Sequence, residues 1–399
     1  MRYIHQLHEW PQFRWREDEI STQLATVRHR QGRLIGRMEA LGFELRSEAI
    51  LATLTNDVLK SSEIEGEDLN RDQVRSSIAR RLGMDIGGLV HSDRNVEGVV
   101  EMLLDATQNF TEPLTDERLF GWHAALFPTG RSGMARITVG AWRLDQDGPM
   151  QVVSGPYGRE KVHYQAPVAE FLPHEMTRFL EWFDRSPEYD PVIKAAIAHL
   201  WYVTIHPFDD GNGRIARAIA DMALARSEGS SQRFYSMSAE IRQRRKGYYD
   251  ILEKTQKGDL DITAWLTWFL DCLGGAISRS EDELQIVLTK ARFWEELRDA
   301  TLNERQRMML NRLLDGFDGK LTSSKWAQIA KCSQDTALRD IEALISMGVL
   351  DKEPGGGRST SYALNGRNTA HAQSMAVAKS SHAAGDQAFL DAISNKDAH

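Results

Sequence analysis

At 399 residues, 41% hydrophobic and 27% charged, the chain has the length for two or three globular domains and the composition of an ordinary water-soluble protein. No apolar run approaches the roughly 20 residues that cross a bilayer, and the polar start MRYIHQLHEWPQF has no signal-peptide core, which excludes a helical membrane protein and predicts a cytoplasmic one. A net charge of −8 excludes a chain-wide nucleic-acid footprint while leaving room for a local basic patch, and two distant cysteines, Cys272 and Cys332, fit structural thiols in a reducing compartment.

Apolar residues recur mostly at helical spacing, so the protein is expected to be mainly α. A first helical region runs from about Glu17 to Val58, with no proline to interrupt it. A break at Gly66 and Asn70 precedes a helix over Arg71–Leu82, and further helices follow at Ser92–Thr107 and Thr115–Leu126. From Gly130 to Pro167 the pattern changes to short β-like runs; MQVVSG and KVHYQAP, separated by PYGRE, predict a hairpin. Helical periodicity returns at Phe171–Arg185, Pro191–Ile205, Ile215–Arg226, Ser238–Lys257 and Thr263–Leu273, and a long charged helix, Ser280–Asp299, links to a smaller unit. That unit reads as helices at Asn303–Phe317, Ser323–Lys331 and Gln334–Met347, then two short strands around a Gly-rich turn, the order of a winged helix-turn-helix. The expected division is an N-terminal helical region (1–110), a core (111–275), a linker helix (276–302), a winged helix (303–365) and a tail (366–399).

The chemistry concentrates between two of these helices, in His206-Pro207-Phe208-Asp209-Asp210-Gly211-Asn212-Gly213-Arg214-Ile215-Ala216-Arg217. Pro207 disfavours helix at His206, so the preceding helix is expected to end there and present the imidazole. Phe208 can bury its ring and pin the loop. Gly211 and Gly213 open backbone conformations and allow a ligand close to the main chain, where the first amides of the next helix form an anion nest. Arg214 and Arg217, three apart, share a helix face and can clamp phosphate oxygens. Asp210 offers a hard oxygen to Mg²⁺, which needs few protein ligands when phosphates supply the rest. A base, a carboxylate, a glycine nest and two arginines form the parts list of phosphoryl or nucleotidyl transfer.

This string resembles the signature of the Fic family, HxFx(D/E)GNGRxxR, with every fixed position filled. With its flanking features the resemblance covers roughly Ser61 to Leu273. It implies a Fic-type helical core with a β-hairpin flap, and transfer of AMP from ATP to a Ser, Thr or Tyr hydroxyl of a protein, the chain itself included. His206 would be the general base. Asp210 would hold Mg²⁺. Gly211, Asn212, Gly213 and Arg214 would hold phosphates, and Arg217 would reach the γ-phosphate; Asp209 falls at a variable position. Upstream, Ser61-Ser62-Glu63-Ile64-Glu65-Gly66 resembles the inhibitory motif (S/T)xxxE(G/N) found before many Fic cores. Ser61, Glu65 and Gly66 fill its places, and Glu65 is expected to pair with Arg217 and take it from the γ-phosphate. In some relatives the same glutamate serves AMP removal, which the sequence leaves open.

By the same resemblance the hairpin Gln151–Ala166 would be the target-positioning flap, with Val152, Val153, Ser154 and Gly155 over the nucleotide. Tyr248 and Tyr249 match a pair lining the adenine site, and Gln256 stands where some relatives carry Asn. In the winged helix, Gln334, Asp335, Thr336, Arg339 and Asp340 are expected on or near the exposed recognition face, with Lys352, Arg358 and Gly355–Gly357 as a mildly basic wing. DNA binding through this unit and a protein-contact or dimerisation role both stay open, and the resemblance implies a homodimer. Two alternatives remain: a nucleotide-sensing DNA-binding regulator acting through the winged helix, and a Fic enzyme using another donor such as UTP or a phosphocholine donor.

Overall fold

The first long helix, α1 (Glu17–Glu39), opens with Glu17, Asp18 and Glu19, acids that suit the positive end of a helix dipole. Its buried residues Ile20, Val27, Gln31, Leu34 and Met38 fall on one stripe at helical spacing. In the computed structural model, residues 2–84, 89–146, 148–155, 159–185, 189–314, 317, 319–353 and 360–365 are described. The helical region expected from about Glu17 to Val58 consists of two helices. The chain leaves helical geometry around Gly42, and α2 (Phe43–Ile64) continues six residues past Val58. That extension decides where Ser61 and Glu65 lie.

The next helices are α3 (Arg71–Arg81), α4 (Arg94–Gln108) and α5 (Asp116–Leu126). Asn70, Asp93 and Thr115 cap them, each side chain accepting a bond from an amide in the first turn. Two short antiparallel pairs follow: β1 (Arg131–Ser132) with β2 (Ala135–Arg136), and β3 (Gln151–Ser154) with β4 (Lys161–Gln165). The second pair is the expected hairpin; the Pro156–Gly158 part of its turn lies outside the described residues. Then come α6 (Leu172–Asp184), α7 (Pro191–Ile205), α8 (Asn212–Glu228), α9 (Met237–Gln243) and α10 (Arg245–Gln256). The segment expected as one helix, Ser238–Lys257, is thus broken at Arg244, which leaves helical geometry at φ −102°, ψ 25°.

Burial orders these elements around α7, which is buried from Val192 through Ile205 with no solvent face. It packs along α8, whose own residues are buried from Ile215 to Ala225. α2 packs on α9 and α3, and α4 on α5 and α8. The N-terminal residues lie on the same core: Trp10 Nε1 donates to Glu175 at 2.8 Å, and Tyr3 packs edge-on to Tyr164.

The two helices expected at Thr263–Leu273 and Ser280–Asp299 are one, α11 (Thr263–Glu296). Two adjacent glycines, Gly274 and Gly275, do not end it. Phe269, Leu270, Leu273, Ala276 and Ile277 are buried on either side of them, and that packing outweighs a helix penalty of about 1 kcal/mol per glycine.

The chain divides into two compact units, 1–281 and 282–399. In the second, α12 (Glu304–Leu314), β5 (Leu321–Thr322), α13 (Ser323–Ile329), α14 (Gln334–Ser346), β6 (Leu350–Lys352) and β7 (Ser361–Leu364) surround Met309, Leu310, Trp326, Ile341, Leu344 and Leu350. Its sheet is antiparallel, ordered β5-β7-β6. On α14, Gln334, Asp335 and Arg339 are exposed and Thr336 half-buried. Asp340, expected near the exposed face, is instead buried and bound by Arg305 and Asn303. Lys352 is exposed on β6; Gly355–Gly357, Arg358 and the tail from Gly366 lie outside the described residues. Among the described residues no helix is long and apolar enough to cross a membrane.

Candidate active site

Helix α7 ends at Ile205, and His206 follows in the left-handed region at φ 54°, ψ 59°. A histidine there is unusual, and such strain gathers at functional sites. Helical geometry is closed to it by Pro207, and its carbonyl is held from the other side by Arg143, whose Nε donates at 2.8 Å. His206 Nδ1 lies 3.2 Å from the Val203 carbonyl. A carbonyl only accepts, so Nδ1 carries the proton and Nε2 is left as the basic nitrogen. Burial, reinforced by Arg143, lowers the pKa to about 4, so the ring is neutral at pH 7.

The loop beyond is fixed from within. Phe208 is fully buried and stacks on His123 with centroids 4.0 Å apart. Asn212 reaches back to Phe208, accepting from its amide at 3.0 Å and donating to its carbonyl at 2.8 Å. The side chain expected among phosphate ligands is therefore occupied in closing the loop. Asp209 accepts from the Thr138 amide at 2.8 Å. The Asp210 carboxylate accepts from Ser132 Oγ and, at 2.6 Å, from the Gly211 amide. Gly211 precedes α8 with φ +79°, and no side chain caps that helix. Its first amides are therefore available to an anion.

Arg143 was missed in the sequence. It is buried, and besides His206 it binds Asp145 at 2.6 Å and the Pro167 carbonyl at 2.5 Å, while its own amide donates to Pro207 O at 2.9 Å. One guanidinium thus joins the His206 loop to the strand-to-helix connection. Of its partners only Asp145 is local to RLDQDG; the His206, Pro207 and Pro167 carbonyls that tie it to the loop come from elsewhere in the chain.

Arg214 and Arg217 of α8 are both buried, and both meet acids just past the end of α2. Arg217 Nη2 donates to Glu65 Oε1 at 2.7 Å and to the Ser61 carbonyl at 2.9 Å, and its Nε donates to Ser61 Oγ at 2.9 Å. Burial is the largest single influence and opposes the charge on Arg217, yet Glu65 together with Tyr248 and Tyr249 holds the pKa above its ordinary value. Arg214 Nη1 donates to Glu67 Oε2 at 2.6 Å, a pairing the sequence did not suggest. Gly66, between the two acids, has φ +85°. Its amide bonds to Glu63 O and that of Glu67 to Ser62 O, a Schellman turn that needs the left-handed residue in this place.

Of the adenine-site candidates, Tyr249 is partly exposed, and its hydroxyl lies 3.3 Å from Ile64 O and 3.4 Å from Glu65 Oε2. Tyr248 is buried, with its hydroxyl 2.9 Å from His199 Nε2. Gln256 is buried too and donates to Thr204 Oγ1 at 3.3 Å. In the hairpin, Val153 and Ser154 are exposed, Val152 packs toward Tyr164, and Gly155 takes φ +103°. The hairpin is tied to α10 through His163, whose Nε2 meets Ser154 Oγ at 2.5 Å and whose Nδ1 meets Glu253 at 2.6 Å. Lys257 and His163 lower the Glu253 pKa to about 2. Tyr164 ties the hairpin to α7 by donating to Thr204 O at 2.7 Å.

Residues 113–224 match the Fic/DOC family. This stretch is a Fic/DOC domain. Residues 3–84, which supply Glu65 and Glu67 to it, match a separate family described only as a domain of unknown function, DUF4172. Similar curated proteins are named protein adenylyltransferase Fic. That of Culex quinquefasciatus is 35% identical over 99 residues, 24% of this chain and 18% of the relative. That of Aedes aegypti is 34% identical over 99 residues, again 24% of this chain and 18% of the relative. The chain thus matches less than a fifth of these relatives' length. Among solved structures, a Fic family protein from Desulfovibrio desulfuricans G20 is 20% identical with a TM-score of 0.48, over 87% of this chain and 96% of that one. Fic-1 (residues 134–508) from C. elegans is 21% identical with a TM-score of 0.45, over 66% and 73%.

Proposed function

We propose that the Fic/DOC domain is a protein adenylyltransferase, moving AMP from ATP to a Ser, Thr or Tyr hydroxyl of a protein, and that Glu65 restrains it. The observation that carries this reading is the sharing of Arg217. It stands with His206 on one loop-helix junction suited to polyphosphate, and it is already engaged by Glu65 and Ser61.

In the reaction, His206 Nε2 accepts the proton of the target hydroxyl. The hydroxyl oxygen bonds to the α-phosphorus, the bond to the bridging oxygen of the β-phosphate breaks, and pyrophosphate leaves. The first amides of α8, with Arg214 and Arg217, hold the phosphate oxygens. Among the described residues no cluster of three or more His, Cys, Asp or Glu forms a metal cage. A lone carboxylate, Asp210, fits Mg²⁺ bound chiefly through substrate phosphates. When bound, Mg²⁺ neutralises phosphate charge. Among the described residues the β3–β4 hairpin is a two-stranded sheet whose β3 edge pairs with no further strand, which suits an extended target segment added as a strand.

Incubation with ATP labelled at the α- or the γ-phosphate tests the reading. Glu65→Gly should raise transfer of α-label to protein at least tenfold, and His206→Ala in that background should abolish it. Transfer of γ-label, or no label with either nucleotide in the Glu65→Gly protein, would overturn it.

A further inference from the structure

Glu67 stands outside every role assigned so far. It is the carboxylate two residues beyond Glu65, and residues two apart on a helix point to different sides. Here they converge because the helix has already ended. Gly66, at φ +85°, reverses the backbone between them, and the Glu67 amide closes the turn on Ser62 O. On the facing helix, Arg214 and Arg217 are three apart and share a side. The spacing of the two acids across the turn therefore matches the spacing of the two arginines along α8. Glu65 meets Arg217 at 2.7 Å and Glu67 meets Arg214 at 2.6 Å.

We infer that Glu67 is a second carboxylate occupant of the phosphate clamp, so that the anion site is filled by two acids of the same turn rather than by Glu65 alone. Arg214 is 3% exposed, and its guanidinium lies 5.2 Å from the centre of the Phe127 ring. Its Nε is buried without a hydrogen-bond partner, a donor left over for an anion larger than one carboxylate. Glu67 is 45% exposed, so it can swing into water without leaving a buried charge behind on its own side. The two acids therefore differ in kind. Glu65 is the less exposed of the two and shares Arg217 with Ser61, while Glu67 is the outer contact and the first that an incoming polyphosphate meets. A ligand must displace both carboxylates to use both arginines. A protein released only at Glu65 keeps half of the restraint.

The inference concerns anion binding and rests on the nucleotide reading of the same clamp. Its test therefore reads binding rather than transfer. Calorimetric titration with ATP, inorganic tripolyphosphate and adenosine is carried out on the full chain and on Glu67→Gln, Glu65→Ala and the double variant. Glu67→Gln should tighten ATP and tripolyphosphate about three- to tenfold, the scale of one charge-assisted contact partly screened by water, and leave adenosine unchanged. The double variant should bind both polyphosphates more tightly than Glu65→Ala. In an Arg214→Ala background the gain from Glu67→Gln should vanish. The inference falls if Glu67→Gln binds polyphosphate like the unaltered chain while the double variant matches Glu65→Ala. It also falls if adenosine tightens as much as ATP. Tightening without any transfer of labelled AMP would leave this inference standing and sink the adenylyltransferase reading instead.

Discussion

The Glu65 carboxylate lies against the bare backbone of Gly213: a β-carbon built on Gly213 would sit 2.3 Å from Glu65 Oε1 and 3.3 Å from Arg217 Nη1. Gly213 is thus where the ion pair and the start of α8 meet, and a methyl group there competes with the carboxylate for one space. Because Gly213 is a helical residue, alanine would otherwise help by up to about 1 kcal/mol through helix propensity. Gly213→Ala should therefore destabilise the unaltered chain by about 1 kcal/mol, as the acid is pushed off Arg217, and become neutral or stabilising once Glu65→Ala has cleared the space. Urea unfolding of the four proteins reads the cycle. Additive effects would show that Glu65 does not occupy that space in solution.

Gly66 controls the same contacts from the other end. A side chain in its left-handed conformation costs about 1–2 kcal/mol, which the turn can escape only by unwinding. Gly66→Ala should lower stability by roughly that amount and tighten ATP binding, because both acids lose their aim together. Gly66→Asn, which tolerates the conformation better, should do less of each. Equal stability and unchanged ATP affinity in Gly66→Ala would mean that the turn does not position the carboxylates.

How much of this was legible beforehand follows from where each residue's partners lie. The geometry of the His206–Arg217 loop was readable because its turn signals are local and lie within twelve consecutive residues. Pro207 ended α7 where expected, and Phe208 is buried as expected. The boundaries that failed depended on distant packing. Nothing near Gly42 signals a break more strongly than Gly274 and Gly275 do, yet the first marks a helix start and the pair sits inside α11. Asp340 turned inward because Arg305 and Asn303, on another part of the chain, satisfy it. Glu67 and Arg214 are 147 residues apart, and no spacing rule connects them.

Arg143 offers a test of what holds the loop. Its guanidinium is buried and supplies donors to the carbonyls of His206 and Pro167 and to Asp145. Arg143→Met fits the space but leaves those acceptors without their donor, which should cost about 3–5 kcal/mol. Arg143→Lys should recover only part of this, since a single ammonium cannot reproduce a planar fork directed at three oxygens. Loss of the Arg143 bond should also free His206 from its strained conformation. Labelling of protein with AMP in the Glu65→Gly background should then fall more than the loss of folded protein explains. Full activity in a folded Arg143→Met variant would show that His206 is held by α7 and Pro207 alone.

Four histidines tie the stability of the first unit to pH. Burial lowers the pKa of His5, His123 and His206 to about 4, and that of His199 to about 3. In the unfolded chain each titrates near its ordinary value of about 6.5. Between those values the unfolded chain binds more protons than the folded one, so stability is present in full above about pH 6.5 and is lost as pH falls toward 4. His123 stacks on Phe208 and His206 follows α7 directly, so two of the four protons on unfolding belong to the site itself. The melting temperature should hold steady from pH 8 to 7 and drop progressively from pH 6.5 to 4.5. His123→Phe, which keeps a ring on Phe208 without a titrating nitrogen, should make that drop shallower. An equally steep drop in His123→Phe would mean that the proton uptake comes from other groups.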